Sequence, residues 1–311
     1  AQASWTIQQS AGPGDAAAVQ NKLTAAQAFT AQIDTTAEIQ GYQGSAAADS
    51  ARAFLKTVTA DNATATAAVN GAAAAVAAAT SVGVVGTTFT LTTGADNIVG
   101  TANADTINAV IDATAANSNL TAADKIVGGA GIDTLVVTKT GAGALNAFNG
   151  ADVSGIEVVS VRNTASAGAA DRVDVNGAGL TAVNAVRGSG DVTATNLAQG
   201  ATVGIDATTA GTISATYAAA ATTATLNVTN AATAGAVSLA GTGLTSVAIN
   251  STVGANTLGG VAVGAAVTAV TIDATSNLTT GGITGVAANA AITVKGAGSV
   301  NLGALAANVA S

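Results

Sequence analysis

The stretch that most limits how this chain can fold is residues 128–136, GGAGIDTLV, which fits G-G-x-G-x-D-x-(aliphatic)-x at every defined place. Three weaker copies precede it. Residues 91–99 carry Gly94, Asp96 and Ile98 at the fourth, sixth and eighth places. Residues 100–108 carry Gly100, Asn103, Asp105 and Ile107 at the first, fourth, sixth and eighth. Residues 119–127 carry Asp124 and Ile126 at the sixth and eighth. Residues 109–118 separate the two pairs. Regularly spaced turns, each followed by an acid and an aliphatic residue, require a fold in which successive turns superpose.

These nonapeptides resemble the calcium-binding repeat of the RTX (repeats-in-toxin) family. Glycine permits positive φ and so lets carbonyl oxygens face one point. The sixth-place Asp adds a carboxylate, and calcium takes six to eight such hard oxygens in loose geometry. The aliphatic at the eighth place starts a short strand that enters the core. Each nonapeptide supplies half a coil, so a site needs turns from two coils. The expected metal-binding residues are Gly94, Asp96, Asn103, Asp105, Asp124, Gly129, Gly131 and Asp133. The register stacks the turn before Asp96 on that before Asp124, and the turn before Asp105 on that before Asp133, with 109–118 bulging out. Asn103 can replace glycine in a left-handed turn; Ala122 cannot do so cheaply. The alternative is a metal-free parallel β-helix whose Asp residues accept hydrogen bonds from turn amides. Glu157 is expected to face solvent, or else to complete a cation site.

Composition agrees with a thin stack. Of 311 residues, 2% are aromatic and 8% charged, and the 49% hydrophobic share is mostly Ala and Val. Small side chains require closely spaced layers, which suits a repeat stack better than a round core. With no Cys or His, zinc sites, thiol chemistry and His-based triads are excluded. A net charge of −8 suits calcium and disfavours nucleic acid. No membrane span is expected, the run Ala72 to Ala79 being too short.

Residues 1–80 read as helical. Val19, Leu23, Ala26 and Phe29 share one face of a helix over 15–33, a new helix starts near Asp34–Glu38, and Ala53, Phe54 and Leu55 are expected to pack. The phrase from Asn21 to Val69 resembles the end of a helical domain of unassigned function that often precedes RTX-like repeats. Trp5 would be a remnant of its start, and both termini are expected to be cut from a longer protein. The alternative is a self-contained helical cap on the solenoid.

Beyond residue 139 two series of short alternating strands recur. One contains Val159, Val183, Val203, Leu226, Val247, Val270 and Ile292 as aligned aliphatics, at intervals of about 20 to 24 residues. The other runs from RVDVN (172–176) to SVNLGA (299–304). Gly, Asn, Asp, Ser and Thr turns join them. The expected fold is mainly β: a right-handed parallel β-solenoid with a β-roll start and a small helical N-terminal domain. Its expected parts are 1–80 helical, 81–138 calcium-binding β-roll and 139–311 Ala/Thr/Val-rich solenoid, the last with roughly seven coils and on the order of 35 Å long. A β-sandwich is the alternative, disfavoured by short strands and scarce aromatics.

The order LTTG-x-DNI, GT-x-x-x-DTI, LTAAD-x-I, GGAG-x-DTL and SGIEVVSV over residues 88–311 looks like bacterial surface-layer and matrix proteins. That resemblance implies a secreted, extracellular structural protein, exported by type I secretion, that assembles with copies of itself in calcium into a layer or filament. The alternative is an adhesin or stalk with cell-surface polysaccharide as partner. Catalysis is not expected. Asp171, Arg172 and Asp174 do not form one site if Arg172 faces away from them. Asp206 and Asp273, each in IDAT, would be about three coils or 14 Å apart, too far for a carboxylate pair. Lys139, Arg162, Arg187 and Lys295 are read as scattered and solvated. Outward Thr residues are too irregular for an ice-binding array.

Overall fold

The computed structural model describes residues 13–42, 44–83, 86–207, 210–230, 234–305 and 309–310. Contacts divide the chain into two compact units, Ala1–Gly86 and Thr87–Ser311. Trp5 lies outside the described residues.

The first unit contains helices α1 (Pro13–Ala31), α2 (Thr36–Gly41), α3 (Gly44–Lys56) and α4 (Asn62–Gly83). The expected start near Asp34–Glu38 is a capping box: Glu38 N–H donates to the Thr35 hydroxyl and Thr35 N–H to the Glu38 carboxylate. On α4, Ala65, Ala68, Ala72, Val76 and Ala79 form a buried stripe at helical spacing. Phe29, Ala25 and Val58 are buried with it, and Phe54 joins both small cores. Two expectations fail. Leu23 is exposed, because α1 buries Asn21, Ala25 and Phe29, a row four residues apart; Ala53 is exposed beside half-buried Phe54 and Leu55. Asn62–Thr80 is, by length and composition, apolar enough to cross a membrane, so the sequence reading that stopped at Ala72–Ala79 was too narrow.

The second unit is a parallel β-solenoid. Its main ladder has 11 strands: Thr88–Thr90, Thr106–Asp112, Thr134–Thr140, Val158–Asn163, Ala182–Val186, Thr202–Asp206, Thr223–Thr229, Ser246–Thr252, Ala269–Ala274, Ala290–Lys295 and Val309–Ala310. A second ladder begins at Leu145–Asn146 and Val173–Asn176. It continues through Val192–Leu197, Ile213–Tyr217, Ala234–Ala240 and Asn256–Val263 before dividing into short paired segments. A third, of three strands, comprises Asn97–Val99, Lys125–Val127 and Asp152–Ser154. Every pairing between described strands is parallel, which removes the antiparallel sandwich.

Alternation decides what is inside. On Thr106–Asp112, Thr134–Thr140 and Ser246–Thr252 every second residue is buried. Ile107, Leu135, Val159, Val183, Val203 and Leu226 therefore stack as one inward column. The column then steps: Leu226 opposes Ile249, and Val247 opposes Ala224. The offset from the expected alignment is two residues, so the inward face is kept. Tyr217 is buried, its hydroxyl donating to the Ala201 carbonyl; burial pushes its pKa up to about 12.

Candidate metal-binding turns

The expected stacking of turns is present. Asp96 N–H donates to Asp124 Oδ1 at 2.8 Å, and Asp105 N–H to Asp133 Oδ1 at 2.7 Å. In both pairs the residues are 28 apart in sequence. The insertion behaves differently from the expectation for 109–118. Ala109 and Ile111 face the core, because the strand keeps its alternation as far as Asp112. The excursion starts after Asp112 and holds a single 3₁₀ turn, Ala115–Asn117.

The acids form strings that run along the stack. Thr87 N–H donates to Asp105, Asp105 N–H to Asp133, and Asp133 N–H to Glu157 Oε2 at 2.9 Å. Glu157 is thus the next rung of the string and is not simply a solvent-facing side chain. Its place in the string could not be read from the sequence, because it lies outside any nonapeptide. The acids stand one per coil with amides between them, and among the described residues no three carboxylates converge as a metal cluster. The Asp residues cap turn amides, as hydrogen-bonded rungs between successive turns.

Within each turn a threonine completes the arrangement. Asp96 accepts from the N–H and hydroxyl of Thr92, Asp105 from those of Thr101, and Asp124 from those of Thr121. The Asp133 turn has Gly129 where the Asp105 turn has Thr101. Asp133 is fully buried, and its Oδ2 has no hydrogen-bond partner among the described residues. Burial, and then the charges of Asp105 and Glu157, push this carboxyl above the usual aspartate range, opposed by the hydrogen bond from Asp105 N–H.

The glycines divide likewise. Gly129 and Gly131 have φ of 109° and 116°. A Cβ on Gly129 would lie 2.1 Å from the Thr101 carbonyl oxygen, and one on Gly131 2.6 Å from the Asn103 carbonyl carbon. Both are needed to seat this turn against the preceding one. Gly94 has room for a side chain, with only the Thr92 hydroxyl within 4 Å at 3.7 Å. Asn103 is not left-handed as the sequence suggested; its N–H instead closes on the Thr101 hydroxyl at 3.1 Å. Of the eight expected ligands, then, Gly129, Gly131 and Asp133 form a turn with spare oxygen capacity. Asp96, Asp105 and Asp124 already serve amides and hydroxyls, and Gly94 and Asn103 have no special backbone geometry.

Of the four basic residues expected to be solvated, Arg162, Arg187 and Lys295 are exposed and Lys139 is the exception. Lys139 is fully buried, its Nζ donating to the Gly141 carbonyl at 2.7 Å. Lys295 pairs with Asp273 at 3.0 Å, and Arg172 with Asp174 at 2.7 Å. Arg172 precedes the strand that starts at Val173 and lies two residues from Asp174, so both reach the same side. Asp206 opposes Thr229 while Asp273 opposes Asn250, so the two IDAT acids occupy different columns. Arg162 and Arg187 line one groove.

No protein-family model matches the chain, and no curated protein or solved structure is significantly similar to it.

Proposed function

We propose that this chain is a structural, extracellular β-solenoid that assembles with copies of itself into a surface layer or matrix filament, and that calcium fixes its first coils. The observation that carries the calcium part is the buried, unpartnered Asp133 Oδ2 in the only nonapeptide with its full set of glycines. A buried anionic oxygen without a partner is costly, and a divalent cation would offset that cost. Asp133 would hold the ion together with main-chain oxygens of its own turn and of the overlying Thr101–Asn103 turn. The threonine-closed turns at Asp96, Asp105 and Asp124 need no ion. This reading narrows the expected ligand set to one turn pair. Assembly is supported more generally, by a fold that gives most of its length to a regular ladder.

The test compares the wild-type chain with Asp133→Asn, with and without calcium. The asparagine keeps an acceptor for Asp105 N–H and removes the charge. Calcium should raise the melting temperature of the wild type and leave the variant unmoved. Electron micrographs should show ordered sheets or filaments of the wild type in calcium and dispersed particles in chelator. Dispersed particles under both conditions, or equal stabilisation of both proteins, would rule the reading out.

A further inference from the structure

The outer face of the main ladder carries a groove of about 400 Å³ that no part of the structural reading uses. It crosses four successive strands of the ladder. Thr138 opposes Arg162, and Val136 opposes Ser160; Val186 opposes Asp206 one coil further on. Four strands at the usual ladder spacing make the groove roughly 15 Å across. Arg187 closes one side from the corner after Val186.

Three properties make this a site. First, Arg162 and Arg187 are exposed, and among the described residues neither guanidinium has an ion-pair or hydrogen-bond partner. The chain has 17 acidic residues against 9 basic ones, so carboxylates are in excess. Elsewhere Arg172 and Lys295 each take one. Two free arginine forks therefore stand in the same groove, open to a carboxylate from outside the chain. Second, Arg187 occupies the left-handed ladder corner (φ 49°) that Ala207, Asn230 and Val253 repeat at 50° on later coils, so here that fixed corner carries a guanidinium. The Arg187 backbone N–H donates to the Asp206 carbonyl at 2.8 Å, which holds the corner in that shape. Third, the rest of the lining mixes aliphatic surface, from Val136 and Val186, with the hydroxyls of Thr138 and Ser160 and the carboxylate of Asp206.

We infer that this groove binds a carboxylate-bearing sugar unit of an acidic polysaccharide. Two arginine forks match carboxylates in bidentate geometry. The valines suit the C–H face of a pyranose ring. The two hydroxyls and Asp206 suit ring hydroxyls, and Asp206 disfavours a ligand of uniformly dense negative charge. A sulfated polymer therefore fits less well than a uronate. The inference does not depend on calcium or on assembly.

Calorimetry with oligogalacturonate in chelator tests it, so that failure here leaves the calcium reading untouched. The wild-type chain should bind oligogalacturonate and not neutral dextran oligomers, and dextran sulfate should bind more weakly at matched charge. Arg162→Gln and Arg187→Gln should each weaken binding tenfold or more. Arg172→Gln, which alters an arginine already paired with Asp174, should bind as the wild type does. If either glutamine variant melts early, Arg162→Lys and Arg187→Lys keep the charge and lose the fork, and should bind at an intermediate level. Equal binding of dextran or dextran sulfate, full binding by the double glutamine variant, or no oligogalacturonate binding at millimolar concentration would overturn the inference. So would a concentration-dependent self-association abolished by the same variants, which would make the occupant a second copy of the chain.

Discussion

Up to Thr212, neighbouring coils are repeatedly joined by a carboxylate that accepts a backbone N–H from an adjacent turn, mostly the preceding one. Asp124, Asp133, Glu157, Asp171 and Asp191 all do this. Beyond Thr212 the joints are chiefly neutral. Asn277 Oδ1 accepts Ser299 N–H at 2.9 Å, just as Asp191 Oδ1 accepts Thr212 N–H at 2.8 Å. Asn250 bonds Asn227 at 2.8 Å, and the hydroxyls of Thr229 and Thr252 meet at 3.1 Å. One backbone design thus accommodates either chemistry at its corners. The difference is in what the corners respond to: charged joints are sensitive to cations and to pH, whereas amide and hydroxyl joints are not. On this view the early coils are the conditional part of the solenoid and the later coils the unconditional part.

The largest test of that division removes space instead of charge. A Cβ on Gly128 would lie 1.7 Å from the Gly155 carbonyl oxygen, whereas one on Gly260 would meet nothing closer than the Gly282 carbonyl oxygen at 3.8 Å. Gly128→Ala should cost more than about 4 kcal/mol, because backbone atoms must separate. Gly260→Ala should change stability by less than about 1 kcal/mol. Urea denaturation followed by circular dichroism reads both. Hydrogen exchange would show whether the Gly128 variant frays only the early coils, as expected of a stack with nearest-neighbour coupling.

A smaller effect separates the two kinds of joint. Asp105→Ala removes a buried carboxylate that serves the N–H groups of exposed Thr87 and half-buried Thr101, and should cost about 2–3 kcal/mol. Asn277→Ala frees the single N–H of Ser299 at an exposed position and should cost about 1 kcal/mol or less. Equal losses in the two variants would mean that charge adds nothing to the early joints.

Much of this architecture could be read from the sequence, for identifiable reasons. Period-two alternation in VVSVRN, SVAINS and AVTIDAT gave both the strands and their inward faces, and the fixed spacing of Asp105 and Asp133 gave their stacking. Alternation cannot reveal a two-residue step such as Leu226 against Ile249, since the step keeps the same face inward. Nor does a motif disclose what replaces it. Thr92, Thr101 and Thr121 close their turns by donating to the turn's own Asp, and only the geometry distinguishes them from Gly129. Among the positive charges Arg162 and Arg187 are exposed as expected, whereas Lys139 is buried between Ile111 and Asn163, more than 20 residues away in sequence, and no local pattern records that.

Lys139 sharpens the comparison most finely, because it is a cation that the chain itself supplies among the conditional coils. It stands in register between Ile111 and Asn163. Burial holds its ammonium below the ordinary lysine value of 10.5, opposed by the charges of Asp171 and Asp112. The unfolded chain therefore retains this proton at pH values where the folded chain has released it. Stability from this group should rise with pH between the lowered value and 10.5. Lys139→Met keeps the aliphatic stem and removes the charge, leaving the exposed Gly141 carbonyl to water. Replacing a buried charge in this way is often neutral or stabilising, so at pH 7 the variant should be equal to the wild type or more stable by about 1 kcal/mol. The gap should close as the pH is raised toward 10.5. Denaturation midpoints of the two proteins across that range provide the check. If the variant is instead less stable at pH 7, and the gap shrinks as the wild type loses its proton, the ammonium is a net clamp on these coils. In that case the coils for which we propose an external cation also hold one built into the chain.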